Sequence, residues 1–184
     1  MTLKFITGNP NKFREAKQIL GNVEKIAMEL PEIQEINAKK IIEYKLQEAM
    51  KTQKGEFFCE DTSLYINSLN GLPGPLIKWF LESMKTEGIY RMASFSSDRS
   101  ATAKTIIGYT NRNEIRYFEG KIDGEIVAPK GETNFGWDPI FLPKGYMKTF
   151  AQMTPEEKNE ISMRKKALTK LKDYLESRKW KLNQ

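Results

Sequence analysis

A chain of 184 residues, 39% hydrophobic and 29% charged, has the size and composition of one soluble globular domain, 1–184, with room for a real core. Its single cysteine, Cys59, excludes an internal disulfide and any multi-cysteine zinc site, and the absence of histidine excludes Ser-His-Asp and Cys-His catalysis. The net charge of +6 reads first as solvated surface, with attraction of a polyanion as the sharper alternative; no apolar run is long enough to span a bilayer, and with one cysteine and no visible signal peptide the expectation is a cytoplasmic protein with no membrane partner.

The first apolar run, Leu3–Thr7, reads as a buried strand. It passes through Thr7, Gly8 and Asn9 into a helix over Lys12–Leu20, on which Phe13, Ala16, Ile19 and Leu20 share a face. Asn9 suits the N-cap and Pro10 the first helical position. Lys12 is the oddity, because the positive end of a helix dipole favours anions. A strand–turn–helix with free backbone N–H groups and a lysine at the helix mouth suits a bound phosphate; the same lysine on an ordinary turn would simply be solvated. With one glycine and no Gly-Lys-Ser/Thr, the segment is not a P-loop.

Gly21 stops that helix, a second strand lies near Val23–Met28, and another helix runs from after Asn37 to Gly55. On it Ile42, Lys45, Leu46 and Ala49 share a face, so Lys45 either snorkels to solvent or reaches into a cleft. Leu30-Pro31-Glu32 offers an acid that gains a role only if the fold brings it near Asp61. Glu56–Cys59 reads as a buried strand ending in Glu60 and Asp61. Adjacent carboxylates at a strand end repel unless a proton or cation intervenes, and such hard oxygen ligands suit Mg²⁺.

Gly71-Leu72-Pro73-Gly74-Pro75 makes a rigid loop ahead of Ile77-Lys78-Trp79-Phe80, where Lys78 is either a phosphate contact or a surface lysine. Strands at Thr102–Tyr109 and Ile115–Gly120 flank a polar turn at Asn111–Glu114, and Asp123-Gly124 marks a further hairpin before Glu125–Ala128. Phe135-Gly136-Trp137-Asp138 precedes a strand at Ile140–Leu142; aromatics beside a glycine suit either stacking on a flat base or core packing.

From Thr154 the chain reads as helical, opened by the capping box Thr154-Pro155-Glu156-Glu157. Ile161, Arg164, Leu168, Leu171 and Leu175 form one stripe, so either the helix breaks near Ser162 or Arg164 points into a polar cleft. The late lysines, Lys165, Lys166, Lys170 and Lys172 among them, read as a solvated face rather than a nucleic-acid surface, since no aromatics interleave with them.

The alternation predicts an α/β fold: a mixed sheet with surrounding helices, in two lobes with a ligand-binding cleft between them. Without histidine, a proton acceptor near neutral pH is a carboxylate, a lysine or a metal-bound water.

Taken in order, these segments resemble the inosine triphosphate pyrophosphatase family of purine nucleoside triphosphate pyrophosphatases, in eukaryotic-type wording. The carriers are Thr7-Gly8-Asn9 with Lys12 and Glu15, Glu60-Asp61-Thr62, and Gly71-Leu72-Pro73-Gly74-Pro75 with Ile77-Lys78-Trp79-Phe80-Leu81. Ile126-Val127-Ala128-Pro129, Phe135-Gly136-Trp137-Asp138-Pro139, Thr149-Phe150-Ala151 and Glu157-Lys158-Asn159 complete a set that covers nearly the whole chain. The resemblance implies an elongated mixed sheet with the active site in the cleft between the two lobes. It implies a homodimer and Mg²⁺-dependent cleavage between the α- and β-phosphates of ITP, dITP or XTP, giving the monophosphate and pyrophosphate. It implies that Thr7, Gly8, Asn9, Lys12, Lys45 and Glu60 touch the triphosphate. Glu32 and Asp61 would hold Mg²⁺, and Lys12, Glu60 and Asp61 would form the catalytic group, with Asp61 the proton acceptor. Lys78, Phe135, Gly136, Trp137, Asp138, Lys158, Met163 and Arg164 would complete nucleotide binding.

The chain departs from the family at Ser162-Met163-Arg164, where relatives carry Ser-His-Arg near the 6-oxo edge of the purine. Arginine only donates, so Arg164 can meet O6 of hypoxanthine or xanthine and gains nothing from the amino group of adenine. Losing the histidine is expected to leave base selectivity weaker or broadened. Two other readings stand beside the hydrolase. One is a nucleotide-binding relative with reduced turnover, which Glu32, Glu60 and Asp61 argue against. The other is a basic nucleic-acid-binding domain, supported by net charge alone.

Overall fold

The computed structural model describes residues 2–132 and 136–182, the side chains of 179–182 excepted. Among the described residues the helices and strands are β1 (Leu3–Ile6), α1 (Pro10–Leu20), β2 (Val23–Ile26), α2 (Ala38–Met50), β3 (Phe57–Ile66) and β4 (Pro73–Gly74). There follow α3 (Ile77–Ser94), β5 (Ser100–Thr110), β6 (Ile115–Ile126), β7 (Phe141–Pro143), α4 (Pro155–Ile161) and α5 (Met163–Leu182). The sheet is ordered β2-β1-β3-β5-β6-β7, with β4 paired to β3. β1 pairs in parallel with β2 and β3, whereas β3–β4 and β6–β7 are antiparallel, so the sheet is mixed as the sequence predicts. No helix among the described residues is long and apolar enough to cross a membrane.

Two compact units share the chain: Met1–Asp61, Thr105–Gly120 and Met163–Gln184 form the first, and Thr62–Lys104 with Lys121–Ser162 the second. In the first unit, period-two alternation sorts the side chains of β3 onto two faces. Phe58 joins Phe5, Ala16, Ile107, Leu168 and Leu171 in a core that includes α1 and α5, with the Phe5 and Phe58 rings stacked at 4.3 Å. Phe57 and Cys59 point the other way, to Ile42, Leu46 and Ala49 of α2. Burying each such phenylalanine or leucine contributes about 1.5–3 kcal/mol. Packing therefore sets the facing of β3 before its acids are reached.

The second unit is antiparallel in character, and it corrects one expectation. Asp123-Gly124 does not turn: β6 runs on to Ile126, and Gly124 pairs with Pro143 of β7. A Cβ on Gly124 would lie 2.4 Å from the Leu142 carbonyl oxygen, so this glycine serves close strand approach rather than a hairpin. α3, which the sequence pattern did not identify as a helix, is kinked at Lys85.

The C-terminal helical stretch is not continuous. Ser162 is extended, at φ −62° and ψ 148°, and separates α4 from α5. The capping box at Thr154 forms as expected.

Candidate active site

The strand predicted to stop at Cys59 continues to Ile66, which corrects the placement of the two acids. They lie inside β3, not at its end, and successive residues of a strand face opposite ways. Glu60 and Asp61 therefore face opposite ways, and each has its own ion-paired lysine, Lys12 for Glu60 and Lys45 for Asp61.

Glu60 follows the facing of Phe58. Its carboxylate accepts from Arg164 Nε at 3.0 and 3.2 Å and pairs with Lys12 Nζ at 3.1 Å. Arg164 Nη1 donates to both carboxylate oxygens of Glu15, at 3.0 and 2.9 Å. Only 1% exposed, Arg164 thus ties α5 to both β3 and α1. The helix breaks at Ser162, and Arg164 points inward onto the Glu60 and Glu15 carboxylates rather than into an open cleft. Burial pushes the Glu60 carboxyl up, but the Arg164 guanidinium and the Lys12 ammonium outweigh it and hold the group below its ordinary value. The position of Lys12 now has a cause. A hydrogen bond to a charged partner contributes about 1.5–3 kcal/mol, more than the roughly 0.3–1 kcal/mol of an unfavourable exposed dipole contact.

Asp61 follows the facing of Phe57, toward α2. Lys45 Nζ donates to Asp61 Oδ1 at 3.0 Å and to Glu32 Oε1 at 3.4 Å. Lys45 therefore reaches inward. Burial disfavours its charge, yet Asp61 and Glu32 outweigh burial and raise its proton affinity. For Asp61 the balance goes the other way: burial raises its carboxyl, and Lys45 and Lys12 offset only part of the effect. Cys59, buried on this face, is pushed up to about 12 by desolvation and stays a thiol.

The oxygens of Glu32 and Asp61 converge on one cation, the Lys45 ammonium, so this position suits positive charge. Among the described residues no cluster of three or more His, Cys, Asp or Glu side chains could hold a metal. Two carboxylates alone do not make a closed zinc site, but they fit Mg²⁺, which completes its shell with waters and substrate phosphates.

The turn ahead of α1 differs from expectation in one respect. Asn9 N–H donates to Thr7 Oγ1 at 3.1 Å, and the N–H groups of Asn11 and Lys12 donate to Asn9 Oδ1 at 2.9 and 3.2 Å. These amides are satisfied within the turn, because the asparagine cap uses the donors an anion would take. Positive charge here comes from the Lys12 side chain. At Gly8 an added Cβ would meet no atom within 4 Å, so the fold itself does not demand glycine there.

In the second unit, buried Asp138 forms an ion pair with Lys158, whose Nζ lies 5.3 Å from the Phe150 ring centre. Trp137 is a core residue, packed with Phe141 and Phe150 at centroid distances of 5.5 and 6.1 Å. Gly136 adopts φ +23° against Leu81. Lys78 is exposed in the first turn of α3, 5.6 Å from the Trp79 ring centre. Phe135 lies outside the described residues. A polar depression of about 660 Å³ beside Asp98, Arg99, Asp123 and Lys144 contains none of the candidate residues. In the first unit Met163 is buried, only 1% exposed, in the first turn of α5.

Sequence reasoning gave Glu15 no role, though it holds Arg164. The available signal was local: an acid three residues after Lys12, on the same side of α1 and next to buried Ala16.

The sequence profile of the Ham1 family matches residues 3–174. The chain is 42% identical over 183 residues to the inosine triphosphate pyrophosphatase of Schizosaccharomyces pombe, covering 97% of each chain. Among solved structures it is similar to the Ham1 protein of Staphylococcus aureus, with TM-score 0.85, 26% identity, and 96% and 99% of the two chains covered. It is also similar to a nucleoside-triphosphatase / dITP/XTP pyrophosphatase of Mycobacterium abscessus, with TM-score 0.73, 26% identity and coverage of 93% and 98%. In extent of match and in fold alike, this chain belongs to the Ham1 family.

Proposed function

We propose that this chain is a nucleoside triphosphate pyrophosphatase that hydrolyses ITP, dITP and XTP to the monophosphate and pyrophosphate, with Mg²⁺ as cofactor. The observation that carries the reading is the arrangement on β3: neighbouring carboxylates on opposite faces, one paired with Lys12 and the other with Lys45. The S. pombe relative's inosine triphosphate pyrophosphatase activity supports the substrate class.

Phosphoanhydride cleavage requires neutralisation of charge on the leaving pyrophosphate and an aligned water. Lys12 and Lys45 supply the cations, exchanging carboxylate partners for phosphate oxygens. Thr7 and Asn9 hold the turn that carries Lys12, and Gly8 leaves room beside it for the triphosphate. Glu32 and Asp61 would hold Mg²⁺, which when bound supplies Lewis-acid neutralisation of phosphate charge. Asp61, whose carboxyl holds a proton more tightly than an ordinary aspartate, accepts the proton of the attacking water. Glu60 stays ionised beside Arg164 and orients Lys12. Lys78, Phe135, Gly136, Trp137, Asp138 and Lys158 serve the nucleoside end, with Met163 and Arg164 at the base. The working form is a cytoplasmic homodimer.

Pyrophosphate release from ITP, dITP, XTP and ATP, with and without Mg²⁺, tests the reading. Release from ITP that needs Mg²⁺ and exceeds release from ATP is expected. Orthophosphate as the product, or equal use of ATP, overturns it; nucleotide binding without pyrophosphate release would favour the low-turnover relative. Light scattering of the eluting protein tests the homodimer.

A further inference from the structure

Gly120, near the middle of β6, is buried and has a φ outside the left-handed range, so its backbone conformation does not require glycine. Space does. A Cβ built there would lie 2.0 Å from the carbonyl oxygen of Met163, 2.7 Å from the amide nitrogen of Ala167 and 2.9 Å from Cβ of Lys166. Two of these three atoms are backbone of the first turns of α5, and backbone cannot swing aside as a side chain can. Contacts under 3.0 Å are essentially unknown for real Cβ atoms, so a methyl at Gly120 would move this turn by about 1 Å or more.

That turn carries Arg164, whose guanidinium meets Glu60 and Glu15 at distances of 2.9 to 3.2 Å. Hydrogen bonds of this length do not survive a displacement of about 1 Å without compensation. Arg164 has little room to compensate, being almost wholly buried. We infer that Gly120 is a positioning residue: by letting α5 close directly onto β6, it sets where Arg164 holds Glu60 and where Met163 and Arg164 meet the base. The inference rests on the function proposed above, and it acts through Arg164 rather than on substrate.

The test is Gly120→Ala, alone and in an Arg164→Gln background. A misplacement of about 1 Å in a catalytic array costs on the order of a hundredfold, so kcat for ITP is expected to fall by about that factor, and the ITP-over-ATP ratio of kcat/KM to fall with it. In the Arg164→Gln background the same change should alter kcat/KM by less than about twofold, since the group it acts through is gone. A variant that melts lower yet keeps its kcat and its ITP-over-ATP ratio overturns the inference, as do additive effects in the double variant. If Gly120→Ala does not fold, Ala167→Ser gives a milder wedge at a fully buried residue of the same helix, and unchanged base discrimination there also overturns it. A crystal structure of either folded variant reads the displacement without activity. Arg164 Nε beyond about 4 Å from Glu60 is expected; a guanidinium still bonded to both Glu60 and Glu15 sinks the idea. Failure of the wild type to hydrolyse ITP counts against the proposed function, whereas the crystallographic result reads the positioning role alone.

Discussion

On one face of β3, Glu60 accepts from Arg164 and pairs with Lys12, and its carboxyl is held below the ordinary range. On the other, Asp61 shares the Lys45 ammonium with Glu32, and its carboxyl is raised. Both residues are acids, one step apart, both desolvated by burial. The difference lies in what they hold. Glu60 belongs to a knot of three elements, β3, α1 and α5, closed by a planar guanidinium whose geometry allows little slack. Asp61 is met by a flexible lysine and, across that lysine, by an acid, Glu32, whose side chain is 47% exposed. One face binds the first unit together through Arg164, with Lys12 at its margin; the other is closed by Lys45 and a half-exposed acid.

The sharpest way to break this comparison is Asp61→Asn. Losing a positioned proton acceptor costs about 10²–10⁴-fold, so kcat for ITP should fall by that much while the melting temperature barely moves. Near-normal kcat would remove Asp61 from its assigned role. Glu60→Gln should do the reverse in stability. Leaving Arg164 buried beside a neutral partner is expected to cost about 3–5 kcal/mol, a drop of roughly 10 °C by calorimetry. If the two variants melt alike, the division of labour between the faces is mistaken.

Gly8→Ala separates fold from ligand at the α1 turn. Because the added methyl meets no protein atom, thermal stability should hold, while KM for ITP rises about tenfold through one lost charged hydrogen bond. A stability loss with unchanged KM would show that glycine serves the turn alone. Met163→His should raise the ITP-over-ATP ratio of kcat/KM by about two- to tenfold, the contribution of one hydrogen bond. An unchanged ratio would place the base discrimination elsewhere.

The smallest effect concerns acid. Because the folded Glu60 carboxyl lies below its ordinary value, its contribution is complete above the ordinary glutamate range, about pH 4.3, and is lost as pH falls through the folded value. Melting temperature should decline below about pH 4.3, and less steeply in Glu60→Gln, where this carboxyl no longer titrates. Equal acid slopes in the two proteins would mean that other carboxylates control acid stability.

The elements nearest in sequence were the most legible. The Asn9 cap, Pro10 at the first helical position and the Thr154 capping box are local chemistry, and all three form. The length of β3 was not legible, because Glu60-Asp61-Thr62-Ser63 contains poor strand formers. What extends it is its place in the sheet beside β5, with β4 added at its far end through Leu64 to Gly74 and Tyr65 to Pro73. Gly124 misled for a similar reason: Asp-Gly is a strong hairpin signal locally, but strand approach by β7 uses the same missing side chain.

By itself, then, the sequence determined the chemical inventory: no histidine, a lysine at a helix mouth, acids after an apolar strand, and an ordered set of segments that matches one family. Those properties reside in residue types and short spacings. Only the tertiary structure decided which acid meets which cation. The faces of β3 were assigned by the packing of Phe57 and Phe58 against different helices, and Glu15 and Arg164 meet across 149 positions of chain. Facing and long-range pairing are set by burial and strand register, which no local pattern encodes.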